Sequence, residues 1–179
     1  VDDGVKIRPY EADALYAGIN IDTDGFQSKS GPRTFEAVAF LRRHGADITR
    51  VRKMLRDDMQ CYVAVAHAVS NAVVYKDSYA ITVFDGRGLD SPTIGGAKAA
   101  NQLLDISGIK ASFVVTQYND VIYISARSID EVNVQIIMEK LGGGGHMTIA
   151  GAQLKDMTID EAIALVKKTL DNMIEEGEI

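Results

Sequence analysis

Four consecutive glycines at residues 142–145, followed by His146, constrain this chain more than any other feature. Glycine loses more conformational freedom on folding than other residues, so a fold that keeps four needs left-handed backbone or a close contact there. Glycines also leave successive amide N–H groups unobstructed, as in protein sites that bind phosphate. The imidazole after them adds a donor that is neutral or cationic near pH 7. The predicted anion-binding residues are Gly142, Gly143, Gly144, Gly145 and His146.

Composition limits the classes of function. The 179 residues are 46% hydrophobic and 25% charged, which is typical of soluble globular proteins. A net charge of −6 argues against electrostatic binding of long duplex nucleic acid, but it is compatible with binding of a small phosphorylated ligand. The single cysteine, Cys61, excludes an internal disulfide, and we interpret it as a small buried hydrophobic residue. The chain starts without methionine, so we expect it to be part of a longer protein.

The pattern of residues predicts an α/β fold in three parts. Residues 1–56 are predicted to be mostly helical around one short strand, with residues 18–21 as the end of that strand or a tight turn. Thr34 is the predicted N-cap of a helix that ends at His44. Residues 57–70 form an apolar connecting helix. Residues 71–179 alternate strands and helices, with a hairpin near Asn119 and a capped last helix starting at Thr158.

Three polar groups outside the glycine run are further candidates for binding. Asp22 and Asp24 suit a divalent cation, although on these residues alone an ordinary surface turn is favoured, since Asp-Thr-Asp-Gly is common there. Arg33 precedes a predicted helix, where it either helps to hold an anion or is simply solvated. Arg127 and Ser128 end a predicted strand and offer directional donors for phosphate, with an ordinary strand end as the alternative.

The sequence resembles the DHH phosphoesterase superfamily, specifically its cyclic-di-AMP phosphodiesterase (GdpP-type) branch. The resemblance covers nearly the whole chain and rests on four segments in matching order. These segments are Ala17–Phe26, Arg33–Ala37, Ile124–Ser128 and Leu141–Gln153. The resemblance implies the C-terminal remnant of a DHH catalytic domain, then the connecting helix, then a DHH-associated domain with a mixed sheet.

The resemblance also implies roles for individual residues. Asp22 matches an aspartate that ligates one of two Mn²⁺ ions, whereas Asp24 matches no ligand. Arg127, Ser128 and the 142–146 loop match the surface that grips the substrate, cyclic di-AMP or a short oligonucleotide such as pApA. His146 would stabilise charge there, with acid catalysis left open. Relatives of this branch are held at the inner face of the cell membrane.

The chain departs from the family pattern in one respect. The Asp-His-His motif and the other metal motifs belong upstream of Asp22 and are absent. One carboxylate cannot hold two metal ions, so we expect this chain alone to be inactive, as the substrate-binding part of a hydrolase. Two other functions stay open: a non-catalytic nucleotide- or RNA-binding module related to the tail of alanyl-tRNA synthetase, and a homodimerisation module built on the apolar connecting helix.

Overall fold

The computed structural model describes residues 6–179, which form seven helices and a six-stranded mixed sheet. The chain divides into two compact units at Asp57/Asp58. The helices are α1 Pro9–Asp22, α2 Pro32–Arg43, α3 Ile48–Met54, α4 Met59–Ser70, α5 Pro92–Leu103, α6 Val134–Lys140 and α7 Ile159–Glu175. The strands are β1 Val73–Tyr75, β2 Tyr79–Phe84, β3 Ala111–Tyr118, β4 Val121–Ser128, β5 Gly144–Gly145 and β6 Ile149–Lys155.

The first unit contains α1, α2 and α3, which pack around a small core. Asp13 on α1 is buried and accepts hydrogen bonds from the Asp47 amide at 2.6 Å and from Arg50 Nε at 2.6 Å, which fastens α1 to α3. These bonds, that from the Arg50 side chain above all, hold the pKa of Asp13 below its usual value.

Two sequence predictions in this unit are wrong. Residues 18–21, predicted as a strand end or turn, are the last turns of α1, because Ala12, Tyr16 and Ala17 bury one face of that helix. The N-cap of α2 is Gly31, with Pro32 as the first helical residue, and not Thr34. Proline suits this first position because the missing N–H would have no partner within the helix.

The second unit contains α4 to α7 and the sheet, whose strand order is β1-β2-β3-β4-β6-β5. Only β2 and β3 are parallel; the other neighbours are antiparallel. The parallel pair is joined by α5, as parallel connections require. The predicted helix at 57–70 corresponds to α4, which packs with α5 against the sheet.

The helices cover the two faces of the sheet unequally. On one face, α6 and α7 bury the side chains of five strands in the main core, which includes Phe113, Ile124 and Leu170. On the other face, α4 and α5 pack over β2 and β3 in a smaller core around Phe84 and Val114. α5 lies very close to the sheet: a Cβ at Gly95 would come within 2.3 Å of the Phe84 ring. The part of this second face made by β4 and β6 holds the candidate site.

Candidate substrate-binding groove

Strand β4 alternates strictly between buried and half-buried residues. Ile122, Ile124 and Ala126 are buried in the main core. Tyr123, Ser125 and Arg127 point to the opposite face and are half-buried, because successive side chains of a strand alternate between faces. This alternation supplies one wall of an open surface on β4 and β6.

A cavity of about 540 Å³ lies on this surface, and we call it the glycine groove. Its lining comes from the start of α5, from β4, from β6 and from the glycine run. The lining residues are Thr93, Tyr123, Ile124, Ser125, Gly142, Gly143, Gly144, Gly151, Ala152 and Gln153. The predicted glycine loop therefore borders a cavity large enough for part of a nucleotide, since small-molecule pockets span about 300–1,000 Å³.

Pairing across β4, β6 and β5 aligns the residues of this surface in rows that run perpendicular to the strands. Ser125 pairs with Gly151, which pairs with Gly144, so the middle row has no side chain beyond the serine hydroxymethyl. The row on one side contains Tyr123 opposite Gln153. The row on the other side contains Arg127 opposite Ile149, and Ile149 exchanges hydrogen bonds with His146 at 2.7 and 3.2 Å. The bare middle row is thus flanked by an aromatic–amide row inside the groove and by the row of Arg127, whose residues lie beyond the groove lining.

The prediction that the glycine run presents free amides is wrong at three positions. The amides of Gly142 and Gly143 donate to the carbonyls of Glu139 and Met138 at 3.0 and 2.8 Å. The amide of His146 donates to Ile149 at 2.7 Å. These N–H groups close the end of α6 and start the β5–β6 ladder, so they do not form an anion nest.

The glycines are needed instead because β5 lies tight against β6. A Cβ at Gly143 would come within 2.1 Å of the Gly151 carbonyl oxygen, and one at Gly145 within 2.4 Å of the Ile149 carbonyl oxygen. Real Cβ atoms essentially never approach other atoms so closely. Gly144 differs, because a Cβ there would meet nothing within 4 Å. The run therefore lets the chain approach β6 and keeps the groove floor flat.

Ser128 does not face the groove. Its side chain is buried, and its hydroxyl donates to the Val132 carbonyl at 2.6 Å. The Ser128 amide donates to Thr148 at 3.0 Å, which fastens the end of β4 to the turn before β6. The prediction that the Ser128 hydroxyl binds phosphate does not fit this arrangement, because the period of two on β4 directs it away from Arg127.

Arg127 is half-buried and spans two strands. Its Nη1 donates to the Ala126 carbonyl at 2.9 Å and lies 3.5 Å from the Ala150 carbonyl. Such bonds limit the rotation of the guanidinium and hold it over the β4–β6 pair. His146, which continues this row, is exposed. Arg127 and His146, two of the predicted side-chain donors, therefore lie along one edge of the open surface.

The other two predicted site residues belong to the first unit. Asp22 is the last residue of α1, with a 76% exposed side chain whose Oδ1 lies 3.9 Å from Lys29 Nζ. Arg33 is exposed in the first turn of α2. Within residues 6–179, no group of three His, Cys, Asp or Glu side chains is placed to hold a metal ion. The described residues alone do not fit a two-Mn²⁺ site.

Comparison with known families assigns the second unit. The model of the DHHA1 domain matches residues 77–176, which run from the β1–β2 turn to the end of α7. The chain belongs to the DHHA1 domain family. The match confirms the resemblance predicted from the sequence, and the mixed α/β fold agrees with it.

Curated relatives extend the similarity into the first unit. The cyclic-di-AMP phosphodiesterase GdpP of Geobacillus thermodenitrificans is 42% identical over 174 residues, which cover 97% of this chain and 26% of that protein. The cyclic-di-AMP phosphodiesterase PdeA of Listeria monocytogenes is 44% identical over 88% of this chain and 24% of its own length. The chain thus spans about a quarter of the length of these relatives.

A solved structure shows the same fold at lower identity. The exopolyphosphatase-related protein of Bacteroides fragilis superimposes with a TM-score of 0.81 at 22% identity, over 93% of this chain and 51% of that one. At this identity the likeness concerns the fold alone. None of the helices between residues 6 and 179 is long and apolar enough to cross a membrane.

Of the residues that line the glycine groove and are not among the predicted site residues, four carry a polar or aromatic side chain. They are Thr93, Tyr123, Ser125 and Gln153. Ser125 and Tyr123 could have been found from the period of two, because both lie on the same face of β4 as Arg127. Thr93 and Gln153 gave no such signal, since their place in the groove depends on how α5 and β6 pack.

Proposed function

We propose that this chain is the substrate-binding part of a phosphodiesterase that hydrolyses cyclic di-AMP, with short linear oligonucleotides such as pApA as related ligands. The observation that carries the proposal is 42–44% identity, over 88–97% of the chain, to proteins named cyclic-di-AMP phosphodiesterases. The glycine groove supports it with a flat floor and an aromatic ring, and the Arg127 guanidinium belongs to the row of paired residues just beyond the groove lining.

The geometry suggests how the ligand is held. Arg127 and His146 donate to a phosphate at one edge of the groove, while Ser125 and Gln153 supply neutral hydrogen bonds along the floor. Gly142, Gly143, Gly144 and Gly145 contribute through their lack of side chains, which lets a flat group lie on β5 and β6. Arg33, which is exposed on α2 of the first unit, stays a predicted phosphate-binding residue.

We propose that hydrolysis needs two Mn²⁺ ions that the longer protein holds, with Asp22 as one ligand. An exposed carboxylate can coordinate a metal ion when other ligands share the site. The 179-residue chain is then expected to bind dinucleotide without cleaving it. We also propose that the longer protein is anchored in the cell membrane and presents this segment to the cytoplasm, where a homodimer is compatible with its activity.

Titration calorimetry with cyclic di-AMP, pApA and tRNA tests the binding proposal. Arg127→Ala is expected to weaken dinucleotide binding about 10- to 100-fold, since hydrogen bonds to charged groups are worth about 1.5–3 kcal/mol. His146→Ala is expected to weaken it about 2- to 10-fold, and Arg52→Ala, on the exposed surface of α3, serves as the control. Dinucleotide affinities equal to wild type in both site variants would overturn the assignment. Preference for tRNA would favour an RNA-binding module instead.

Incubation of the pure chain with cyclic di-AMP and Mn²⁺, followed by chromatography, tests the second proposal. No linear product is expected, because the described residues do not assemble a metal site. Turnover that disappears in Asp22→Asn would show that this chain is sufficient, and the proposed need for further ligands would then be wrong.

A further inference from the structure

A second cavity, of about 730 Å³, lies at the carboxyl ends of the parallel strands β2 and β3. One wall is the loop between β2 and α5, and the other is the turn of the β3–β4 hairpin. We call it the hairpin cavity. Its lining residues are Val83, Phe84, Asp85, Gly86, Arg87, Gly88, Leu89, Pro92, Gln117, Tyr118, Asn119, Asp120 and Ile159. Ligands of α/β sheets commonly bind outside the carboxyl ends of strands.

The hairpin cavity adjoins the glycine groove at two places. Pro92 lines the cavity and the next residue, Thr93, lines the groove. Tyr118 of the cavity and Tyr123 of the groove are diagonal neighbours on β3 and β4, with ring centroids 6.5 Å apart and planes at 48°. The two tyrosines therefore form a continuous aromatic border between the cavities.

The lengths fit a ligand with two nucleosides. A strand rises about 3.3 Å per residue, so Tyr123 lies about 13 Å along β4 from Arg127. In a dinucleotide with a phosphate near Arg127 and one base in the groove, the second base needs a binding site of its own outside the groove. The Tyr118 ring, 39% exposed, is the next aromatic surface beyond Tyr123.

The charges of the hairpin cavity fit a neutral group better than a phosphate. Arg87 is its one cationic lining residue, and Arg87 Nε already donates to Asp85 Oδ1 at 2.9 Å. That guanidinium lowers the pKa of Asp85 to about 2, so this carboxylate is charged at neutral pH. With Asp120 also present, a phosphate would meet more negative than positive charge, whereas Gln117, Asn119 and the carboxylates can accept from amino and hydroxyl groups.

We propose that the hairpin cavity binds the second nucleoside of a dinucleotide ligand, with its base stacked on Tyr118 and its phosphates left in the glycine groove. This inference rests on the proposed function, since it takes the groove as the phosphate site. Base–aromatic stacking is tolerant of sequence and contributes substantially to binding of single strands.

The first test compares pApA with AMP by titration calorimetry on the 179-residue chain. Tyr118→Ala is expected to weaken pApA binding about 5- to 100-fold, the effect of losing one stacking ring. AMP binding should change less than about twofold, because its phosphate and single base fit the groove. The matched control is Tyr62→Ala, a tyrosine 63% exposed on α4 and outside both cavities.

The outcomes separate this inference from the proposed function. If wild-type protein binds neither ligand, the proposed function fails. If it binds both, and Tyr118→Ala binds pApA as tightly as wild type, the second nucleoside site is wrong while the groove stands.

The chain has no tryptophan, which allows a second measurement. In Tyr118→Trp the new indole is the sole tryptophan, so its emission reports on the hairpin cavity alone. Saturating pApA should quench this emission and leave that of Tyr62→Trp unchanged. Unquenched emission at a pApA concentration that calorimetry shows to be saturating would overturn the proposal, even where Tyr118→Ala has lost stability.

Discussion

Along β4, Ile122, Ile124 and Ala126 face α6 and α7. Tyr123, Ser125 and Arg127 point to the opposite face, where Tyr123 and Ser125 line the glycine groove. The first set is fully covered and contributes apolar burial. The second set is only half-covered and keeps polar groups in reach of solvent. One strand thus serves a closed face and an open face. Substitutions on the closed face should lower stability, and those on the open face should lower affinity.

The largest effect is expected for Phe113→Ala on the closed face. Phe113 is fully buried in the main core. Truncation of such a residue lowers the free energy of unfolding by about 3–5 kcal/mol, because apolar burial is lost and a cavity remains. Denaturant unfolding, monitored by circular dichroism, measures this loss of stability. Gln153→Ala on the open face should stay within about 0.5 kcal/mol of wild type. Similar losses for the two variants would mean that the faces do not differ as described.

The glycine run gives a sharper contrast between neighbouring residues. Gly143→Ala should cost about 1–3 kcal/mol, because its Cβ would press on the Gly151 carbonyl oxygen and displace β5. Gly144→Ala should fold like wild type, since its Cβ meets nothing within 4 Å. Its methyl group would enter the groove, where we expect it to weaken dinucleotide binding at least about tenfold.

Unfolding curves and calorimetry on the two glycine variants separate these effects. A stable Gly143→Ala variant would contradict the close approach of β5 to β6. A Gly144→Ala variant with normal affinity would indicate that the ligand does not lie on the floor of the groove.

The two serines of β4 repeat the contrast at smaller scale. Ser128→Ala should cost about 1–2 kcal/mol of stability, because the buried Val132 carbonyl loses its hydroxyl donor. Ser125→Ala should leave stability unchanged and weaken dinucleotide binding about 2- to 10-fold, the range for one neutral hydrogen bond. The opposite result, affinity lost at Ser128 and stability lost at Ser125, would restore the role that the sequence suggested for Ser128.

The sequence revealed the architecture more fully than the site. The capping signal at Thr158 and the hairpin at Asn119 correspond to observed features, because these signals depend on neighbouring residues. Strand β6 was not predicted, and residues 18–21 were assigned wrongly, because tertiary packing decides both. The glycine run is structurally special, as the sequence indicates, but the amides of Gly142, Gly143 and His146 bond to the chain itself. Only the end of α6 and the β5–β6 pairing reveal these bonds.

The smallest expected effect concerns how α7 is fastened over the closed face. Asp171 on α7 accepts from Tyr75 Oη at 2.8 Å and lies 3.1 Å from Lys76 Nζ, and these contacts lower its pKa. The ionised Asp171 carboxylate therefore stabilises the fold at pH values above its ordinary pKa of 3.8. This contribution is lost as the pH falls from there through the lowered pKa of the folded state.

The melting temperature of wild type should therefore fall more steeply below about pH 4 than that of Asp171→Asn, and the two should converge in acid. At pH 7 the variant should melt slightly lower. Asp105→Asn is the control, because Asp105 is exposed and no ion pair joins it to the described residues. Since this contact lies away from the groove, dinucleotide affinity at pH 7 should be unchanged in Asp171→Asn. A matching loss of affinity would mean that the closed face also controls the open one.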